Sequence, residues 1–295
     1  MDYKWSTYIQ TSEELYRSRS LRFHEGNKEL WLNIFKIKEG MDVLEVGCGG
    51  GAFCHKLKTY IPHISITGLD FDSGHIKYAL DKSRQLGIDC KFVNGDATQL
   101  PFSNNSFDVV YSYTVMEHIE PNIFLEEQYR TLKESGRIVI LSVRPELNIN
   151  CNRLDAPCEE EIYLSEKLWQ AYTEFEKGLS ICQYPLKEEE FVPLLEKHKF
   201  KNINIDFLTV MSYAPDNHSI SDEMAIESIN VNRLFALNSI HKAYKISPHT
   251  LSNSEYLRVL ELINKRYDKR INSYLNDEKL WDMNTSTVMA ITGNK

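Results

Sequence analysis

The chain has 295 residues, 42% of them hydrophobic and 26% charged, with a formal net charge of −8, enough for one large or two modest globular domains. Such acidity makes a poor partner for phosphate backbones, which argues against nucleic acid as a substrate. No stretch approaches the ~20 apolar residues of a spanning helix and the N-terminus lacks a signal-peptide core, so neither a membrane nor export is expected and the default location is the cytoplasm.

Residues 1–37 precede the first strand. Leu15, Tyr16, Arg19 and Arg22 fall at helical spacing there, and the segment reads as an N-terminal helical cap. The stretch VLEVGCGGG, Val43 to Gly51, follows. Val43, Leu44 and Val46 read as a buried strand, the glycines as a tight turn, and Ala52 to Tyr60 as a helix ended by Pro62. Strand, glycine turn and helix make a ligand cradle, because glycine presents no Cβ and tolerates positive φ.

Three nucleotide chemistries use such a turn. A phosphate loop is excluded, since no Gly-Lys-Ser/Thr follows. The dinucleotide pattern G-x-G-x-x-G/A fits Gly47, Gly49 and Ala52, with Asp70 as the acid further on. Glu45 argues against it: a carboxylate two residues before the first glycine repels a pyrophosphate and favours an ammonium or a sulfonium.

Further along, Ile64 to Leu69 reads as a second strand closed by Asp70, and Ile76, Ala79, Leu80 and Ser83 mark a helix stopped by Gly87. Phe92 and Val93 lead into Gly95-Asp96, Phe107 to Tyr113 is a fourth strand, and Pro121 opens a fourth helix. Strands alternating with helices of this length imply a parallel sheet with helices on both faces. Gly47, Asp70, Asp96 and Tyr113 then all fall at the carboxyl ends of strands, where such sheets bind ligands.

Four segments in this order, from about Lys38 to Val143 and resuming near Lys187, resemble the class I S-adenosylmethionine-dependent methyltransferases, in the branch of the ubiquinone/menaquinone-type small-molecule enzymes. The resemblance implies a Rossmann-like α/β fold, a seven-stranded, mostly parallel sheet. It implies S-adenosyl-L-methionine as cofactor and a small-molecule methyl acceptor. In that family the E-x-G-x-G-x-G segment wraps the methionine part, which here assigns Glu45, Gly47, Cys48, Gly49 and Gly51. Asp70 would hold the ribose with Phe71 beside the adenine, Asp96 and Ala97 would read the adenine edge, and Tyr111, Ser112 and Tyr113 would line the transfer site. Family habit also folds the N-terminal segment over the cleft, where Arg19, with Tyr16, would meet the methionine carboxylate.

Methyl transfer from a sulfonium needs alignment more than acid or base, because the leaving group departs neutral. A base is needed only if the acceptor enters protonated; His118, Tyr113 and Glu117 are the candidates. Asp108 reads as structural, and Glu134-Ser135 stand where the family has Pro-Gly. Cys48, Cys54, Cys90, Cys151, Cys158 and Cys182 show no metal-ligand spacing and read as free thiols, so no metal is expected.

The last two strands of this fold ordinarily form a hairpin. Here about seventy residues, 217–284, intervene, too many for a structureless loop. The expected division is a core of 38–216 with 285–295 and a helical insertion of 217–284 that either roofs the cleft or builds a homodimer interface. Two other functions stay open: a non-catalytic S-adenosylmethionine-binding protein, and a NAD(P)-dependent oxidoreductase using the same turn.

Overall fold

The computed structural model describes residues 5–151, 156–179 and 181–295. Helices α1 (Trp5–Tyr8), α2 (Ser12–Arg22) and α3 (Lys28–Phe35) come first. Strand and helix then alternate through β1 (Asp42–Val46), α4 (Ala52–Tyr60), β2 (Ser65–Asp70), α5 (Ser73–Leu86), β3 (Lys91–Asn94), β4 (Phe107–Tyr113), α6 (Pro121–Thr131) and β5 (Leu132–Val143). The remainder comprises β6 (Asn150–Cys151), α7 (Glu159–Glu176), α8 (Glu188–Lys197), β7 (Lys201–Tyr213), α9 (Asp222–Ile246), α10 (Asn253–Leu275) and β8 (Met283–Asn294).

The strands join in the order β3-β2-β1-β4-β5-β8-β6, with β7 on the other side of β8. The pairs from β3 to β5 are parallel, and β8 runs antiparallel to β5. Seven strands of four or more residues and the two-residue β6 make the Rossmann-like, mostly parallel sheet that the alternating pattern predicts. Chain order reverses between β1 and β4, which both extend outward from one crevice, and that is where open α/β sheets bind ligands.

Local chemistry explains the element ends. The Asp72 side chain caps α5 by accepting from the Gly74 amide, Gly87 stops that helix at φ +65°, and Pro121 occupies the first turn of α6. Val43 packs with Trp31, Phe35, Phe53 and Leu57 on one face of the sheet. Leu44 and Val46 pack with Phe124, Leu125, Phe191 and Leu195 on the other. A strand buried on both faces must read as a continuous apolar run, so an acid inside β1 stands out.

Two irregularities bear on the resemblance. The Leu-Lys-Glu-Ser-Gly turn is a bulge in β5, where Phe107 faces Leu132 and Val109 faces Arg137. Ser135 takes the left-handed conformation there at φ +64°, which a non-glycine residue adopts at a cost of about 1–2 kcal/mol. Asp108, at the amino end of β4, accepts from the Asp42 amide and pairs with Lys133 at 2.8 Å, a structural role.

The chain divides into two compact units: Met1–Leu147, Ile181–Val210 and Ser286–Lys295 form one, Asn148–Ser180 and Met211–Thr285 the other. The first contains the crevice. The second gathers α7 with the two long helices of the insertion around Leu168, Ile229, Val259, Ile263 and Tyr267. Its core also holds an ion cluster in which Arg270, 1% exposed, meets Asp216 at 2.8 Å and Asp282 at 2.7 Å. Among the described residues no helix is long and apolar enough to cross a membrane.

Candidate active site

The crevice is built on the turn after β1. Gly47, Gly49 and Gly51 all have positive φ, +72°, +52° and +81°, so the turn requires glycine for its path alone. Their missing Cβ atoms do not leave bare space for a ligand, as the sequence suggested. A Cβ on Gly47 would lie 2.3 Å from Val115, one on Gly49 2.4 Å from Leu15, and one on Gly51 2.6 Å from Phe92. The glycines instead let α2, the loop after β4 and β3 close in on the turn.

The turn's amides are committed too. Those of Gly47 and Cys48 donate to the Leu69 carbonyl at 2.7 and 2.9 Å, and that of Gly51 to the Cys48 carbonyl at 3.0 Å. The Gly49 amide donates to Asp70 Oδ2 at 2.8 Å. A pyrophosphate needs free amides at this place. With four of them spent on the protein, the turn suits a ligand that brings its own donors.

Asp70 ends β2. Its Oδ1 accepts from the Asp72 amide at 2.8 Å, so the carboxylate ties the glycine turn to the start of α5. Burial raises its pKa, against the pull of His75 and the two amides. Phe71 beside it is 68% exposed, an aromatic face open to a planar ligand. Asp96, on the surface beyond β3, accepts from the Thr98 amide and hydroxyl at 2.8 Å each through Oδ1, and Ala97 next to it is buried.

Glu45 lies deeper than its place in the motif suggests. It is 4% exposed, and its Oε2 accepts from the Cys54 thiol and the Tyr111 hydroxyl, both at 2.9 Å. Burial outweighs these donors and pushes its pKa up to about 7, with Arg19 pulling the other way. Near neutral pH the group is therefore poised between acid and carboxylate, and a cation brought close would ionise it. Tyr111, fully buried, supports Glu45 from below and does not line the cleft as expected, because β4 aims it into the core against Phe35. Cys48 is likewise turned inward, its sulfur 2.8 Å from where a Gly68 Cβ would stand. Ser112 is buried beside them, 1% exposed.

The α2 helix brings the cation. Arg19 lays its guanidinium 3.6 Å from the Tyr113 ring centre and donates to Thr114 Oγ1 at 2.8 Å. No carboxylate stands within ion-pair distance of it among the described residues. Burial lowers its pKa. A half-buried cation with no anion among the described residues, close to a buried acid, suits a ligand that carries both a carboxylate and a positive charge. Tyr16 packs on the turn at Gly50 and against His55 and Tyr78, and burial lifts its hydroxyl to about 12.

His118, beyond β4, corrects another expectation. Its Nδ1 accepts from the Cys182 amide at 2.9 Å, which in the neutral ring puts the proton on Nε2. The lone pair a general base would use is engaged, and burial lowers the pKa of the ring, which stacks edge-on against Trp5 at 4.8 Å. Glu117 accepts from Ser142 Oγ at 2.5 Å, and Arg144 donates to the same hydroxyl at 2.9 Å.

Sequence reasoning missed Thr114, Val115, Leu15 and Ser6. Thr114 has φ +54°, for which a threonine carries no sequence signal. Ser6 donates to Asp72 through its amide and hydroxyl at 2.6 and 3.0 Å, a contact across 66 positions that no local pattern announces.

Residues 44–140 match the family described as a methyltransferase domain. The chain is 34% identical over 139 residues to the phthiotriol/phenolphthiotriol dimycocerosates methyltransferase of Mycobacterium tuberculosis, covering 46% of this chain and 48% of that protein. It is 37% identical over 114 residues to the fatty-acid O-methyltransferase of Mycolicibacterium smegmatis, covering 38% and 40%. The chain thus matches about half the length or less of these relatives. Among solved structures, the phosphoethanolamine N-methyltransferase 2 of Haemonchus contortus in complex with S-adenosyl-L-methionine shares the fold, with a TM-score of 0.51, 16% identity, and coverage of 97% of this chain and 58% of that one.

Proposed function

We propose that the chain, whose residues 44–140 match the methyltransferase domain family, is an S-adenosylmethionine-dependent methyltransferase acting on a small molecule. The observation that carries this reading is the pairing at the crevice: a turn with four of its amides spent, flanked by the buried acid Glu45 and by Arg19, a cation with no carboxylate at ion-pair distance among the described residues. The cofactor's methionine part is a zwitterion with an added sulfonium, the charge pattern these two residues complement. Asp70 is assigned to the ribose hydroxyls, Phe71 to the adenine face, and Asp96 with Ala97 to the adenine edge. The same committed amides disfavour a nicotinamide dinucleotide.

The cofactor supplies an activated methyl group. The chain's own part is to hold it and exclude water while an acceptor atom lines up behind the methyl. Arg19 fixes the carboxylate end, and Tyr113 forms the floor under Arg19. His118 positions the 181–184 segment and takes no proton. An acceptor that enters protonated has Glu117 and Tyr113 as the remaining candidate bases. The two relatives named for lipid substrates support an apolar acceptor bearing a hydroxyl or carboxyl group, and six free thiols support a reducing compartment such as the cytoplasm.

Calorimetry with S-adenosylmethionine, followed by transfer of a labelled methyl group to a panel of fatty acids, phenols and lipid alcohols, tests the reading. Binding with turnover to S-adenosylhomocysteine supports it. Binding without transfer to any acceptor favours a non-catalytic cofactor-binding protein, and absence of binding removes both.

A further inference from the structure

The first turn of α5 holds a group that none of these roles uses. His75 follows the rim acids Asp70 and Asp72 and is 2% exposed. Its Nδ1 lies 2.9 Å from the hydroxyl of Ser12, the first residue of α2, which fixes the ring's rotation. Its Nε2 is buried and has no hydrogen-bond partner among the described residues. The imidazole lies near both Asp70 and Asp72. Buried polar atoms are nearly always satisfied, so an orphan beside a candidate ligand-reading acid calls for the partner that is absent from the protein itself.

We propose that His75 is a further ligand-binding residue, whose Nε2 makes a hydrogen bond with a ribose hydroxyl of the adenosyl ligand beside Asp70. This rests on the adenosyl reading given above. A hydroxyl both donates and accepts, so either ring tautomer serves, and Ser12, holding Nδ1, lets the N-terminal helix set the ring's aim. The rim would then read the ribose from two sides, with a carboxylate and an imidazole.

Two substitutions separate the ring's two nitrogens. His75→Asn keeps an amide near Nδ1 for Ser12 and removes Nε2; His75→Gln restores a polar atom near Nε2. Calorimetry on the full chain with S-adenosylhomocysteine should show about tenfold weaker binding for His75→Asn, the loss of one hydrogen bond, and recovery to within about threefold for His75→Gln. With the 2′-deoxy or the 3′-deoxy analogue, whichever lacks the hydroxyl His75 meets, wild type and His75→Asn should bind alike. Equal weakening toward all three ligands means His75 only supports the fold, and unchanged affinity for S-adenosylhomocysteine means it does not touch the ligand; either overturns the proposal. Should His75→Asn not fold, His75→Phe, which keeps the ring's volume, runs the same comparison. Failure of wild type to bind any of the three ligands overturns the adenosyl reading and this proposal with it, a result distinct from binding that is blind to His75.

Discussion

Two buried charge clusters, one in each unit, are built to opposite ends. In the helical unit Arg270 is enclosed by Asp216 and Asp282, and Asp216 Oδ2 also accepts from the Leu280 and Trp281 amides at 3.0 Å each. Donors and acceptors converge there, and the carboxylates raise the pKa of Arg270 despite its burial. In the crevice, Glu45 receives a thiol and a phenol, and Arg19 meets a hydroxyl and a ring face with no carboxylate at ion-pair distance among the described residues. A cation enclosed by its own protein's carboxylates has no use for a ligand. One left short of opposite charge can be completed by one.

The largest effect should come from breaking the Arg270 cluster. Arg270→Ala leaves two buried carboxylates without their cation and should cost about 3–5 kcal/mol, read as a lower midpoint in urea. Arg270→Met with Asp216→Asn and Asp282→Asn should recover much of that loss, since the charges then leave together.

Next comes Glu45. Its pKa is raised above the ordinary carboxylate value, so the folded protein holds a proton that the unfolded chain gives up between about pH 4.5 and 7. Stability therefore falls as pH rises through that window and levels off above it. Glu45→Gln removes the dependence, gaining relative to wild type by up to about 3 kcal/mol at the top of the window. Denaturant titrations from pH 4.5 to 8 measure it, and parallel curves would contradict the poised state. In wild type a cationic ligand should bind more tightly as pH rises toward 7 and release a proton, whereas Glu45→Gln should bind weakly at every pH.

Asp70→Asn should act on the ligand more than on the fold. The amide keeps one acceptor for two backbone donors, Gly49 and Asp72, and binding of S-adenosylmethionine by calorimetry should weaken about tenfold. The smallest effect belongs to the exposed pair of Arg258 with Glu160 at 2.7 Å. Arg258→Ala should leave the melting temperature unchanged within error, the contrast that gives the two buried clusters their meaning.

Much of this was legible because it is local. The glycine path, the acid closing β2, the Pro121 start of α6 and the two long insertion helices are written within a few residues of where they act. The resemblance added the order of four rim segments and hence the cofactor. Less legible were the partners. The sequence presents Glu45 as a carboxylate aimed at a ligand; Tyr111, 66 positions away, and Cys54 hold it in the fold. His118 had the right chemistry for a base until the Cys182 amide, 64 positions away, occupied its lone pair. The glycines' missing side chains pointed to a ligand when Leu15, Val115 and Phe92 fill those places. The grouping of α7 with α9 and α10 likewise appears only in their shared core.

By itself the sequence determined the alternation of elements, the edge of the sheet that carries the acids and the sign of the ligand's charge, because backbone preferences and spacing along a strand or helix act over one or two turns of chain. Tertiary structure alone decided how deeply each of those acids is buried, which nitrogen of His118 is engaged and that Arg19 meets no anion among the described residues, because each depends on atoms brought together across tens of residues and on how much water the fold removes from around them.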